Sequence, residues 1–166
     1  MSQQIFACLS LFAAVTTTLV AGFTFTFAVI IMPGIKQLED SAFIRTFQVI
    51  DGIIQGGQPL FGVVWIGSIL STLAIAAIGL FQFDGWHKWV PVAVATVYFV
   101  GVQLPTFTIN IPRNNRLQTL QVGLMDHASI VKERSYFEAT WNRWNVIRTW
   151  VALAVSISLM LIFKTT

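Results

Sequence analysis

Four long apolar runs constrain this chain more strongly than any other feature of its sequence. They cover approximately residues 5–32, 60–83, 86–109 and 144–163, and about 20 apolar residues suffice for an α-helix to cross a bilayer. The whole chain is 55% hydrophobic and 10% charged, whereas a soluble domain carries about 25% charged residues. The sequence therefore predicts an all-α integral membrane protein in which residues 1–166 form one transmembrane domain. We expect a left-handed, antiparallel four-helix bundle.

The first apolar run could be mistaken for a cleaved signal peptide. No Lys or Arg precedes it, and it is longer than the roughly 7–15 apolar residues of a signal core. We therefore expect a retained span that ends at Pro33 and Gly34, because this pair does not continue a helix. Cys8 is the one cysteine in the sequence, so no intrachain disulfide can form.

The connections between the runs alternate in size. Residues 33–59 and 110–143 form two large connections, whereas the second and third runs almost touch, so both large connections lie on one side of the membrane. Positive residues are concentrated on that side, which the positive-inside tendency makes cytoplasmic, with both termini outside. The positive residues of the large connections are Lys36, Arg45, Arg113, Arg116, Lys132, Arg134 and Arg143, against Lys88 and Lys164 on the other side.

Both large connections contain patterns of short amphipathic helices. In the first, Asp40 or Ser41 can cap a helix that Gly56 and Gly57 end, and Pro59 can open the second span. This helix either lies at the membrane interface or forms an early, tilted part of the second span with Asp51 turned inward. Its apolar face carries Phe43, Phe47, Ile50 and Ile54, and a neighbouring face carries Gln48, Asp51 and Gln55. In the second connection Pro112 can open another helix, with Leu117, Leu120 and Leu124 at helical spacing.

The stretch TWNRWNVIRTW, residues 140–150, opens the fourth run with an unusual polar set. Trp141, Trp144, Asn145 and Arg148 follow helical i, i+3, i+4 and i+7 spacing, so they share one helix face. Ionisable residues in a span usually face the bundle interior and mark a functional site. The end of the third run, TINIPRNN, brings further amides to the same side of the membrane: Asn110 and Asn114.

A purely structural interpretation competes with this site. Tryptophans at the end of a span commonly form an aromatic belt, and Arg148 can extend to the lipid headgroups. Asn114 can be a helix cap, and Asp51 can lie on a solvated face. Asp126 and His127 are then ordinary connection residues.

Several classes of site and partner find little support. His87 and His127 lie on opposite predicted sides, so we expect no protein-bound metal. No phosphate-binding loop, nucleophile elbow or haem-attachment motif occurs. No basic helix with interleaved aromatics suggests nucleic acid, and anionic lipid headgroups are the simpler partner for the positive charge. The sequence leaves open whether the chain forms a homo-oligomer.

The segments FAVIIMPGI, FQVIDGIIQ, TINIPRNN and WNRWNVIRT resemble the anthrone oxygenase family of small four-span membrane proteins. The resemblance covers nearly the whole chain, and its most specific parts are residues 110–114 and 141–148. It implies oxidation of an anthrone, a lipophilic aromatic, to an anthraquinone by dioxygen. The anthrone anion is electron-rich enough to reduce dioxygen, so the resemblance implies no metal, flavin or other cofactor.

The resemblance also assigns candidate roles to residues of this chain. A flat apolar slot for the substrate can be formed by Trp141, Trp144, Phe47 and Phe107, and Gln48 is a further substrate-binding candidate. Candidate donors to the developing oxyanion are Arg148, Asn145, Asn110 and Asn114, and the candidate bases are Asp51 and His127. The rival hypothesis is a non-catalytic membrane module that binds or transports a small hydrophobic or anionic ligand.

A reporter enzyme that is active only after export, fused to the C-terminus, tests the predicted sidedness. We expect an active fusion, because the positive charge places the large connections in the cytoplasm and the C-terminus outside. A fusion active only in the cytoplasm would mean that the arginines are concentrated for a site and do not report orientation.

Overall fold

The computed structural model describes residues 3–164, and within this range the chain is helical with no strand. Four helices are long and apolar enough to cross a membrane, which confirms the all-α prediction with four apolar helices. We name these helices α1, α3, α4 and α5, with the amphipathic helix of the first connection as α2. Their bounds are α1 Gln4–Ile35, α2 Asp40–Gln55, α3 Pro59–Gln82, α4 Trp89–Gln118 and α5 His127–Lys164.

The four long helices form a closed ring. Helix α1 packs against α3 and α5, and α4 packs against the same two helices. The α1–α5 contact uses small residues, among them Ala13, Ala14 and Ala152, which are fully buried. The Ser156 hydroxyl donates to Thr17 Oγ1 across this contact at 3.2 Å. Small residues let the two backbones approach closely, as in many helix pairs of membrane proteins.

Helix α1 continues two residues past the predicted end at Pro33. A π-helical turn at Phe27–Ile31 precedes the proline, and the N–H of Met32 donates to the carbonyl of Phe27. Such a wide turn changes which carbonyls face the proline ring and thereby accommodates it. The sequence predicts that both termini lie outside the cell. The terminal residues themselves, 1–2 and 165–166, lie outside the described residues.

The first connection contains the predicted amphipathic helix, α2. Glu39, and not Asp40 or Ser41, occupies its N-cap position, and no side chain caps it. Gly56 is its C-cap residue, and Gly57 follows with φ +82°, a conformation that favours glycine. The Gln58 side chain then caps α3 by accepting from the N–H of Phe61 at 2.6 Å.

The second connection is much shorter than predicted. It covers only residues 119–126, because α4 continues to Gln118 and α5 begins at His127. The separate helix expected from Pro112 is instead the last part of α4, which is continuous through two π-helical turns at Phe99–Gln103 and Thr106–Asn110. Hydropathy alone misses these extensions, because polar contacts stabilise them.

The polar start of α5 is held by charged partners. Arg134 donates to Asp40 at 2.8 Å and to Glu138 at 3.0 Å. Its guanidinium also reaches the carbonyls of Lys36 and Leu38. This one arginine therefore fixes the end of α1 and the start of α2 against α5.

Asp126 caps the N-terminus of α5. Its carboxylate accepts from the backbone N–H of Ser129 at 2.8 Å and from the Ser129 hydroxyl at 3.0 Å. These hydrogen bonds hold the pKa of the Asp126 carboxyl below its usual range. Asp126 thus has a structural role as a cap.

A methyl group added at Gly101 tests the contact between α4 and α5. A Cβ there would lie 2.6 Å from Cγ1 of Val151, whose branched side chain has little rotamer freedom in a helix. We expect Gly101→Ala to destabilise the protein by about 1–3 kcal/mol, the usual cost of overpacking. Thermal unfolding in detergent measures the effect. Gly22→Ala is the matched control, because a Cβ there meets nothing within 4 Å; equal melting temperatures for the two variants would contradict this packing.

Candidate functional site

An aromatic cavity of about 150 Å³ lies where all five helices meet. Its walls combine phenylalanine and tryptophan rings with a small number of polar side chains. The lining residues are Phe23 and Phe27 of α1, Phe47, Asp51 and Ile54 of α2, Phe61 and Trp65 of α3, Thr106, Phe107, Asn110, Ile111 and Asn114 of α4, and Trp141 and Arg148 of α5.

The rings of the cavity hold one another in place. Phe61 stacks on Trp65 with centroids 5.2 Å apart, four residues along the same helix face. Phe47 meets Trp141 edge-on, with centroids 5.6 Å apart. Rings fixed in this way give flat apolar surfaces that suit a planar aromatic ligand.

Arg148 is a buried cation at one end of the cavity, with 4% of its surface exposed. Nη1 donates to Thr106 Oγ1 at 2.8 Å, and Nη2 donates to Asn145 Oδ1 at 2.9 Å. Asn145 in turn donates to the carbonyl of Thr24 at 2.8 Å, so the guanidinium is fixed against α1, α4 and α5. Its Nε has no partner. Within residues 3–164, no carboxylate forms an ion pair with Arg148.

Asp51 is a buried carboxylate in the same cavity, with 3% of its surface exposed. It accepts from Gln55 at 2.7 Å, from Asn114 at 2.8 Å and from Gln118 at 3.0 Å. All three partners are neutral amides, so no cation compensates this charge by contact. Since a buried charge without a counter-ion is costly, its position calls for a functional explanation.

The two charges lie at different levels of the cavity. Arg148 bonds to Thr106, whereas Asp51 bonds to Asn114. Eight residues of α4 separate these contacts, which is at most about 12 Å at the α-helical rise, because the π-helical turn at Thr106–Asn110 rises less per residue. Asn110 lies one turn from each and also lines the cavity. The cavity therefore has a cationic end, an anionic end and an amide between them.

Two amides connect Trp141 to this arrangement. The indole N–H of Trp141 donates to Asn114 Oδ1 at 2.7 Å, and Asn114 uses its own N–H on Asp51. Asn110 Nδ2 donates to the Trp141 carbonyl at 3.3 Å, while its Oδ1 has no partner. Asn114 thereby fixes the position of the Trp141 ring relative to the Asp51 carboxylate.

The structure brings most of the sequence-predicted site residues together. The cavity is lined by seven of them: Arg148, Asn110, Asn114, Asp51, Trp141, Phe47 and Phe107. Asn145 lies behind Arg148 and bonds to it. Gln48 lies behind the wall, where it donates to the carbonyls of Leu117 and Leu120 and fastens α2 to α4.

Two predicted site residues lie elsewhere. Trp144 is half-buried and does not line the cavity. His127 is exposed and borders a separate surface depression with Glu39 and Asp40. Of the two candidate bases, Asp51 alone lines the aromatic cavity. Within residues 3–164, no group of three His, Cys, Asp or Glu side chains is arranged to hold a metal ion.

Sequence reasoning missed several lining residues. Thr106 precedes Asn110 and Asn114 at four-residue intervals, a polar row on an apolar helix that carried a usable signal. Phe61 and Trp65 on α3, and Phe23 and Phe27 on α1, show the same spacing. Like Ile54 and Ile111, however, they carried no signal, because apolar residues on a helix match any core equally well.

The sequence profile of the anthrone oxygenase family matches residues 52–158. This segment contains α3, α4 and most of α5, including Asn110, Asn114 and Arg148, and it begins one residue after Asp51. No curated protein and no solved structure gives a significant match. The profile confirms the resemblance for TINIPRNN and WNRWNVIRT, whereas FAVIIMPGI and the first five residues of FQVIDGIIQ lie before the matched segment. Because the profile matches well over half of the sequence, the chain belongs to the anthrone oxygenase family.

Proposed function

We propose that the protein is a membrane-embedded oxygenase that oxidises a lipophilic, anthrone-like aromatic with dioxygen. One observation carries this proposal. The carboxylate of Asp51 and the guanidinium of Arg148 lie at opposite ends of one aromatic cavity, and neither is neutralised by an ionic contact within residues 3–164. A base and an oxyanion donor separated in this way suit proton abstraction from a carbon conjugated to a carbonyl.

The dimensions of an anthrone fit this separation. Its acidic methylene and its carbonyl oxygen lie on opposite edges of the central ring, about 4 Å apart from carbon to oxygen. Adding a contact of about 3 Å at each end gives about 10 Å between base and donor. This is close to the length of α4 that separates the contacts of Arg148 and Asp51.

In the first step Asp51 accepts a proton from the methylene. The electron pair of the broken C–H bond moves through the ring to the carbonyl oxygen, where the Arg148 guanidinium stabilises the negative charge. Thr106 and Asn145 hold that guanidinium in place before the charge forms, so little reorganisation is needed. Asn114, Gln55 and Gln118 position the carboxylate.

In the second step the substrate anion gives one electron to dioxygen, and the resulting radicals combine to form a C–O bond. Protonation of the outer oxygen gives a hydroperoxide, so the carbon is oxidised by two electrons and dioxygen is reduced to the peroxide level. Loss of the second methylene proton, cleavage of the O–O bond and departure of water then give the quinone carbonyl. Dioxygen supplies the new carbonyl oxygen and the oxygen of the water.

The opening of the cavity supports a lipophilic substrate. Helix α3 packs against the first part of α4, Trp89–Tyr98. Farther along, α4 remains packed against α5. Among the described residues, the contact between α4 and α3 beyond residue 106 is slight. Phe107 and Ile111 border the gap, and they are 54% and 36% exposed. In an embedded bundle this gap faces the acyl chains, so a hydrophobic substrate can enter from the bilayer.

The volume of the cavity limits how much of an anthrone it can enclose. About 150 Å³ is the size of a cavity that holds a benzene molecule. An anthrone has three fused rings, so its two outer rings extend beyond the cavity, one of them into the gap between α3 and α4, or the helices separate further when it binds. Phe107 and Phe61 then contact the ring in the gap.

One observation favours a second candidate function. A buried guanidinium without a carboxylate partner also suits an anionic ligand, so Arg148 is compatible with a binding or transport module.

Oxidation of emodin anthrone in air by purified protein in liposomes, corrected for the spontaneous reaction, separates the two functions. A rate no higher than the spontaneous one would favour the binding module, which uptake into the liposomes would then test.

Replacement of the carboxylate tests the proposed base. We expect Asp51→Asn to lower kcat for emodin anthrone by about 100-fold or more, because general-base catalysis contributes about that much. Asparagine keeps the shape and can still accept from Asn114. Absorbance of the quinone product gives the rate. Asp84→Asn is the control, since Asp84 is exposed and outside the cavity; equal rates for both variants and the parent would exclude Asp51 as the base.

A conservative replacement of the cation tests the proposed oxyanion donor. Arg148→Lys keeps the charge but loses the planar fork that bonds to Thr106 and Asn145 together. We expect at least a tenfold loss of kcat with the protein still folded, because loss of an oxyanion donor commonly costs 100-fold or more. The exposed Arg143 of the same helix provides the control, Arg143→Lys. Parental turnover and melting temperature in Arg148→Lys would exclude Arg148 as the oxyanion donor and would mean that its planar fork is not needed.

A further inference from the structure

We propose that Asn110 Oδ1 determines substrate specificity by accepting a hydrogen bond from a phenolic hydroxyl of the ligand. The site would then prefer ring systems with a hydroxyl outside the positions next to the carbonyl. This inference rests on the proposed function for its ligand class, but it concerns binding and needs no turnover for its test.

The orientation of the Asn110 amide follows from its neighbour. Its Nδ2 lies 3.3 Å from the backbone carbonyl of Trp141, and a carbonyl only accepts. The amide nitrogen must therefore point to Trp141, and Oδ1 must point away from it. Asn110 is 2% exposed and lines the aromatic cavity, and its Oδ1 has no hydrogen-bond partner.

The other polar side chains of the cavity already have partners for their oxygens. Thr106 Oγ1 receives Arg148, and Asn114 Oδ1 receives the indole N–H of Trp141. The Asp51 carboxylate receives three amide N–H groups. Among the described lining residues, Asn110 Oδ1 is thus the buried side-chain acceptor that lacks a donor. A buried acceptor without a donor is destabilising, and a ligand donor removes that penalty.

The position of Asn110 selects which hydroxyl it can meet. It lies one helical turn from Thr106, beside the cationic end, and one turn from Asn114, beside the anionic end. A ligand whose carbonyl faces Arg148 and whose methylene faces Asp51 presents the edge of an outer ring to Asn110. A hydroxyl next to the carbonyl donates its proton internally to the carbonyl oxygen, so it is not free for Asn110. A hydroxyl farther out on the outer ring has a free proton.

Three anthraquinones that differ at one substituent test this inference. Emodin carries two hydroxyls next to a carbonyl and a third farther out; chrysophanol lacks the third, and physcion carries it as a methyl ether. Their binding to the protein in phosphatidylcholine liposomes is measured by quenching of tryptophan fluorescence, at a pH that keeps the phenol protonated. We expect the parent protein to bind emodin about 3- to 10-fold more tightly than physcion, the range of one net hydrogen bond.

A variant separates recognition from partitioning into the lipid. Asn110→Leu has similar volume and no acceptor, so the ratio of chrysophanol to emodin dissociation constants should fall about 3- to 10-fold relative to the parent, while chrysophanol binding stays within about twofold. Comparison with the parent cancels the partitioning of each quinone. Thr108→Leu is the control, since Thr108 is exposed on the same helix, lies outside the cavity and bonds only to the Leu104 carbonyl of its own helix, and it should keep the parental ratio.

Each alternative outcome overturns the inference in a recognisable way. An unchanged ratio in Asn110→Leu, or equal loss of both quinones, would show that Asn110 only supports the helix contact to Trp141. If the variant does not fold, the emodin and physcion pair on the parent protein still decides, once the partitioning of each quinone into protein-free liposomes is measured and subtracted, and equal corrected affinities would refute the acceptor role. Failure of all three quinones to bind, or binding without hydroxyl preference, would refute this inference alone, because a quinone presents a second carbonyl oxygen and not a methylene to Asp51. The proposed function is refuted separately, by the absence of catalysed oxidation of emodin anthrone.

Discussion

The hydrogen bonds of Arg148 and Asn145 are the interaction on which the site depends. Through them α5 contacts the Thr106 hydroxyl of α4 and the Thr24 carbonyl of α1, so one guanidinium and one amide join three helices. These partners are neutral, which leaves the charge of Arg148 available to a ligand. An ion pair with Asp51 would have given similar cohesion, but it would have neutralised both groups and removed the polarity of the cavity.

The course of α4 provides the second condition for the site. Two π-helical turns flank Pro105, and Gly101 lets the backbone approach Val151 of α5. Helix α4 therefore remains packed against α5, and beyond Pro105 it separates from α3. The space that results is the cavity and its lateral opening. Irregular helical turns of this kind are frequent at functional sites, because they reposition side chains without ending the helix.

Sequence patterns predicted the polar face of α5 well and the connections poorly. The spacing of Trp141, Asn145 and Arg148 placed them on one face because helical periodicity is a local property. The start of α5 at His127 could not be read in the same way, because its residues are polar. Arg134 stabilises it through partners that are distant in sequence, Lys36, Leu38 and Asp40. His127 was a reasonable candidate base by type alone, but it lies away from the cavity.

The sequence by itself determined four apolar helices, an amphipathic helix between the first two, and the face that carries Arg148. These features depend on hydropathy and on the helical repeat, and both are determined by residues that are close together in the sequence. The tertiary structure alone decided that Asp51 meets Asn114, that Arg148 meets Thr106, and that the two charges stay apart. Such pairings depend on where α2, α4 and α5 cross, and crossing geometry follows from packing between residues far apart in the chain.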